Sequence, residues 1–173
     1  MLNIITPHLQ LDNVLELEPS RLRLLGLRGL LLDVDCTLKD HGCPTFSDEV
    51  KGWVRGLRAD GFRLCLFSNG RPGRIGELAG ALDVPFVAKA FKPLPFACRA
   101  GLNHLGVARE EAGLVGDQLF ADVMAGRLAG LFTILVRPTS PHEPWFTRLK
   151  RPVERRVLRW INAPARAAQR PVA

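Results

Sequence analysis

Leu30-Leu31-Leu32-Asp33-Val34-Asp35-Cys36-Thr37-Leu38 is an apolar run that breaks into two carboxylates two residues apart. Three leucines in a row show no polar alternation, so the run reads as a strand covered on both faces, as in a parallel sheet. Working outward, similar apolar runs predict strands over 29–34, 62–67, 85–88, 112–115 and 132–136. Between them, 47–59, 72–82, 93–105 and 120–129 carry helical spacing, and 19–27 reads as a short helix leading into the first strand. Pro72 and Pro93 suit first helical turns, where a missing N–H costs nothing. Strands alternating with helices predict an α/β fold with a mostly parallel sheet.

The chain has 173 residues, 47% of them hydrophobic and 24% charged, which is ordinary globular composition and enough for one buried core. Its net charge of +7 is unevenly spread. Residues 1–144 hold 16 Lys/Arg and 16 Asp/Glu, whereas 145–173 hold eight basic residues against Glu154 alone. A neutral body with a basic end argues against nucleic acid as the main partner and for a separate contact with an anionic surface. Four cysteines without CxxC spacing read as reduced thiols of a cytoplasmic protein. The longest apolar runs fall far short of the ~20 residues that span a bilayer, and the start of the chain lacks a basic flank followed by an apolar stretch. We therefore expect neither a membrane span nor Sec export.

In an extended chain residues i and i+2 point the same way, so Asp33 and Asp35 are expected to reach together beyond the strand ends, where open α/β sheets bind ligands. The other strand ends add to this. Ser68-Asn69-Gly70 follows the second strand, Lys89 and Lys92-Pro93 follow the third, and Gly116-Asp117 closes the fourth, with Asp122 five residues on. Asp33, Asp35 and Asp117 offer hard anionic oxygens of the kind Mg²⁺ takes, and three carboxylates packed together without a cation would repel. The chemistry this supports is phosphoryl transfer. Asp33 is the candidate nucleophile, Asp35 the candidate acid–base, and Ser68, the amides around Asn69–Gly70 and Lys92 would hold the phosphoryl oxygens. Lys89 reads equally as a second phosphate-facing cation or as an ordinary strand-end lysine. Arg71 and Arg74 read either as a grip on a distal phosphate or as a solvated helix start. No GxxxxGK[ST] or GxGxxG is present, the four histidines lack ligand spacing, and Trp53 reads as core.

The order Asp-x-Asp-x-Thr, Ser-Asn, Lys-Pro, Gly-Asp-x-x-x-x-Asp resembles the haloacid dehalogenase-type phosphatases. Within them, Lys89-Ala90-x-Lys92-Pro93, Gly116-Asp117-Gln118-Leu119-x-x-Asp122-Val123-x-x-Gly126 and Thr147-Arg148-x-x-Arg151-x-Val153-Glu154-Arg155-Arg156 are similar to the YqeG branch of subclass IIIA, over roughly residues 10–161. That branch is in turn similar to phosphatidylglycerophosphate phosphatases. The resemblance implies a three-layer Rossmann-like fold and an aspartyl-phosphate on Asp33, with Asp35 as acid–base. It also implies Mg²⁺ held by Asp33, the Asp35 carbonyl and Asp117, with Asp122 behind the metal or Lys92. Thr37, Asn69, Gly70, Arg71 and Lys89 would contact the phosphate or the rest of the substrate. Cys36 departs from the pattern, standing where relatives commonly carry Asn, and Gly70-Arg71 replaces an Asn-rich run.

The short connections leave no room for a cap domain, so the site should be open and suited to a phosphate on a large object, such as a phospholipid. We expect a phosphatase domain over 1–144, a basic amphipathic helix over 145–162 with a fresh start at Pro152, and a disordered tail over 163–173. The helix would touch an anionic membrane face peripherally. The competing expectation is a phosphatase fold that docks on a GTPase or ribosomal particle with little catalysis.

Overall fold

The computed structural model describes residues 2–140 and 145–168. The chain divides into two compact units, Met1–His142 and Glu143–Ala173. The first is built on six parallel strands in the order β1-β6-β5-β2-β3-β4. These are β1 (Leu9–Leu11), β2 (Gly29–Leu32), β3 (Arg63–Phe67), β4 (Phe86–Val87), β5 (Ala112–Gly116) and β6 (Phe132–Val136). Helices α1 (Pro19–Leu24), α2 (Asp48–Ala59), α3 (Pro72–Leu82), α4 (Phe96–Leu105) and α5 (Met124–Leu128) complete the unit.

Successive strand residues serve opposite faces, and the core divides accordingly. Leu30, Leu32, Leu64, Leu66 and Val115 pack with Val50 and Val54 of α2 and with Ile75 and Leu78 of α3. Leu31, Cys65, Phe67 and Leu114 pack on the other side with Cys98 and Leu105 of α4 and Ala125 of α5. The unbroken apolar runs thus reflect burial on both faces, as expected of the α/β three-layer class. Gly101 of α4 lies so close to the sheet that a Cβ there would sit 2.7 Å from the Leu31 side chain. Ser47 caps α2, its Oγ accepting from the Val50 N–H at 3.3 Å, and Pro72 opens α3.

Several boundaries differ from the sequence reading. β1 was not anticipated: three residues are too few for a periodic signal, and its strand form comes from pairing Leu9 to Ile134 and Leu11 to Val136. Pro93 does not open a helix. It sits in a loop where Lys89 and Phe91 take φ of 48° and 51°, and α4 begins at Phe96. The helix expected over 120–129 starts instead as a wide turn, Leu119–Val123, in which the Val123 N–H reaches the Gln118 carbonyl at 3.2 Å. Only then does α5 follow.

The second unit contains α6 (Trp145–Ala168). It continues through Pro152, which does not start a fresh helix. The strong helix formers on either side, Leu149-Lys150-Arg151 and Glu154-Arg155-Arg156, sustain the turns around the one missing N–H. The helix also extends past the expected end at 162 to Ala168, while the last five positions of the expected tail, 169–173, lie outside the described residues.

Candidate active site

The strand order places the site. The chain steps one way from β2 to β3 and β4, and the other way from β5 to β6, so the topology reverses between β2 and β5, where open sheets leave a crevice at their carboxyl ends. Asp33 follows β2 and still donates its N–H to the Val115 carbonyl of β5 at 2.9 Å. Asp117 follows β5 directly. Side-chain oxygens of Asp33, Asp117 and Asp122, all buried, lie within 4.8 Å of one another.

The loop after Asp33 folds back at once. The Leu38 N–H bonds the Val34 carbonyl at 3.0 Å, the Cys36 N–H bonds the Lys39 carbonyl at 2.8 Å, and Cys36 takes φ 63°. Position 36 therefore takes the left-handed region, which Asn tolerates better than most residues, Cys included. The fold-back brings Thr37 Oγ1 to 3.1 Å from Asp33 Oδ2 and 3.3 Å from Asp117 Oδ1. With one proton to give, the hydroxyl can donate to only one of the two carboxylates at a time.

Lys92 arrives from the loop after β4 and spends all three ammonium hydrogens. Its Nζ bonds Asp33 Oδ1 at 2.5 Å, Asp122 Oδ1 at 2.6 Å and the Phe67 carbonyl at 3.1 Å. Asn69 clamps the lysine's backbone: its Oδ1 accepts the Lys92 N–H at 2.8 Å and its Nδ2 donates to the Lys92 carbonyl at 3.3 Å. The Asn69 side-chain carboxamide is thus committed to positioning the lysine, whereas the phosphate contact expected of this segment runs through backbone N–H groups. Asp122 is equally committed, because its Oδ2 accepts the Gln118 N–H at 3.0 Å. Gly116 makes room for it, since a Cβ there would lie 2.2 Å from the Asp122 carboxyl carbon.

Burial drives the Asp33 carboxyl upward to about 6, against the pull of Lys92 and with a further push from Asp122. Burial by itself would lower Lys92, but Asp122 and Asp33 outweigh it and hold the ammonium above its ordinary range. Among the described residues, three carboxylates gather beside the Lys92 ammonium. Hard oxygens in that arrangement fit a divalent metal ion.

Asp35 lies differently from the sequence expectation. Its carboxylate is paired with both guanidinium nitrogens of Arg74, one at 3.2 Å, and with Lys39 Nζ at 3.4 Å. The third carboxylate of the buried cluster is Asp122 instead. The i, i+2 rule fails because β2 ends at Leu32, so Asp35 sits in the folded-back loop. Ser68 is buried beside the site, its Oγ accepting from the Gly70 N–H at 3.1 Å. Arg71 and Lys89 are exposed, and the Lys89 N–H bonds the Gly70 carbonyl at 3.1 Å. Lys39 was missed by the sequence reading; it is buried, and nothing in its local sequence signals its pairing with Asp35.

Residues 90–149 match the HAD-hydrolase-like family model. The probable phosphatase YqeG of Bacillus subtilis is 30% identical over 146 residues, 84% of this chain and 85% of its own. Phosphatidylglycerophosphate phosphatase 1, chloroplastic, of Chlamydomonas reinhardtii is 27% identical over 90% of this chain, which spans 62% of that protein. Among solved structures, the cobalt-bound deoxy-D-mannose-octulosonate 8-phosphate phosphatase of Haemophilus influenzae aligns with a TM-score of 0.55 at 16% identity, covering 82% of this chain and 90% of that one. That last likeness concerns the fold alone. Identity that runs through nearly all of the Bacillus protein, on a sheet whose reversal point gathers the quoted motifs, leads to one conclusion: this chain is a member of the YqeG family of HAD-type phosphatases, enzymes of the phosphoric monoester hydrolase class.

Proposed function

We propose that this phosphatase cleaves a lipid phosphomonoester, with phosphatidylglycerophosphate as the preferred substrate, through an aspartyl-phosphate on Asp33. The observation that carries the reading is the buried carboxylate cluster opposed by the fully bonded Lys92. Asp33 attacks phosphorus in line while the phosphorus–oxygen bond to the alcohol breaks, and Asp35 delivers a proton to the departing oxygen. Asp35 then takes a proton from water as the water attacks phosphorus, and Asp33 leaves with its original oxygens. Lys92 keeps Asp33 oriented and counters the charge that builds on the phosphoryl oxygens, helped by Ser68 and the amide of Gly70. Asp33, Asp117 and the Asp35 carbonyl would hold Mg²⁺, which would neutralise the repulsion between carboxylates and the incoming phosphate.

Two observations favour a lipid. The Chlamydomonas relative is named for phosphatidylglycerophosphate, and the connection between Asp33 and α2 is too short to hold a cap domain. The basic face of α6 supports reversible contact with an anionic leaflet at the cytoplasmic side, and four cysteines that form no disulfide suit a reducing compartment. Among the described residues no helix is long and apolar enough to cross a membrane.

The deciding experiment is phosphate release from phosphatidylglycerophosphate in mixed micelles beside sugar and nucleotide monoesters, each with Mg²⁺ and with chelator. The lipid should give the highest kcat/KM and lose nearly all turnover in chelator. Faster release from the soluble esters would reject the substrate, and undiminished release in chelator would reject the metal. Arg74→Ala gives a second check, because a guanidinium beside Asp35 can take the phosphodiester that a simple monoester lacks. KM for the lipid should rise about tenfold in that variant, against less than about threefold for para-nitrophenyl phosphate.

A further inference from the structure

We propose that the tip of the loop joining β4 to α4, formed by Phe91, Leu94 and Phe96, is an interfacial anchor that seats the catalytic end of the sheet on an anionic phospholipid surface. The inference rests on the lipid-substrate reading for the identity of that surface and extends it to how the substrate is reached.

Large apolar side chains are normally withdrawn from water, yet these three expose 68%, 50% and 79% of their surface within six consecutive residues. The Leu94 N–H closes a tight turn onto the Phe91 carbonyl at 2.9 Å, so the two side chains flank a single bend, and Phe96 begins α4 directly after it. The loop's inward capacity is already used. Lys92 lies buried with its ammonium on Asp33, Asp122 and Phe67 and its backbone on Asn69, which leaves its neighbours facing outward. Phe91 even holds φ 51°, a conformation bulky residues avoid.

Charge selects the occupant. From Val84 to Arg109 the chain contains no Asp or Glu, while Lys89 and Arg99 flank the tip and are exposed. Arg71 belongs to the same rim, because the residue before it accepts the Lys89 N–H at 3.1 Å. An apolar tip on a stretch of chain that carries cations and no acids complements anionic head groups over an acyl layer. A second copy of the chain fits poorly, since a two-fold contact through this patch would set the same cations against each other. The anchor and Lys92 share one loop, so docking would bring the lipid head group to the same end of the sheet as Asp33.

The test uses the full chain with vesicles of phosphatidylglycerol and phosphatidylcholine, in about 0.5 M salt to screen the Arg-rich helix. In the variant Leu94→Trp, added tryptophan emission should shift to the blue and be quenched by lipids brominated on their acyl chains. In Leu94→Gln/Phe96→Gln, vesicle partitioning and the rate on phosphatidylglycerophosphate in vesicles should each fall about tenfold, with the rate on para-nitrophenyl phosphate held within about twofold. Emission at position 94 indifferent to brominated lipid overturns the anchor, as does partitioning unchanged in the double variant. So does a wild-type dimer that the double variant dissociates while neither form binds vesicles. Insertion of the loop without hydrolysis of the lipid upholds the anchor and defeats the substrate reading instead.

Discussion

Asp33→Asn is expected to lower phosphate release by at least about 10⁴-fold and, in chelator at pH 7.5, to melt higher than the wild type. The first effect follows from chemistry: a carboxamide does not attack phosphorus, and a covalent route then has no nucleophile. The second follows from burial. Desolvation raises the Asp33 carboxyl to about 6, so the folded state binds its proton more tightly than the unfolded chain does. The stability that goes with this proton is fully present below the unfolded value near 3.8 and is lost as pH climbs through about 6. At pH 7.5 without metal, the ionised group costs on the order of 3 kcal/mol, which corresponds to roughly 9 °C in a chain of this size. The neutral amide removes that cost. Calorimetry between pH 4.5 and 7.5 in chelator should show the wild-type Tm dropping relative to the variant, and adding Mg²⁺ should raise the wild type far more than the variant. A variant that still turns over, or that melts lower at pH 7.5, contradicts the assignment.

Lys92→Met should have the largest effect on stability. It strips the ammonium from a buried pair of carboxylates and also leaves the Phe67 carbonyl without its donor. Removing one partner of a buried ion pair costs about 3–5 kcal/mol, because the remaining charge has neither water nor counter-ion. The lysine is held above its ordinary value, so its contribution is fully present below the unfolded lysine range and is lost only as pH rises through the higher folded value. Between pH 5 and 9 the variant's deficit should therefore change only through the carboxylates and grow as they ionise. Urea unfolding should place its midpoint well below that of the wild type at pH 7.5 and closer to it at pH 5. Lys92→Met/Asp122→Asn should regain much of the stability while phosphate release stays about 10²–10³-fold down, separating the structural role from the catalytic one. Recovery of activity together with stability would show that the lysine serves folding alone.

These expectations rest on residues whose importance differs in how visible it is along the chain. Asp33, Lys92, Asp117 and Asp122 could be picked out because each follows an apolar run and each is a residue type with little reason to be buried. Their grouping in one crevice was also foreseeable, since parallel strands joined by helices must gather their carboxyl ends on one side. The partners of those residues were not foreseeable in the same way. The Asn69 side chain clamps a backbone 23 residues away, a contact with no local sign. Asp35 was expected beside Asp33, but it pairs with Arg74, 39 positions on. Lys39 gave no sign of its burial, and the exposed tip at Phe91–Phe96 resembles an ordinary helix start until the loop is seen to spend its inward contacts on Lys92.

Apolar periodicity is a local property, set by how a strand or helix alternates its side chains, so residues 29–34 and their counterparts were enough to establish a parallel α/β sheet and the end that carries its chemistry. Which acid meets which base is decided by contacts that exist only after β2, β3 and β5 lie side by side and the loop at Cys36 has turned back. Exposed and buried copies of the same side chain look identical in a string of letters. The cost of burying charge, which selects Lys92 for Asp33 and Asp122 and leaves Asp35 to Arg74, arises only once packing has removed the water.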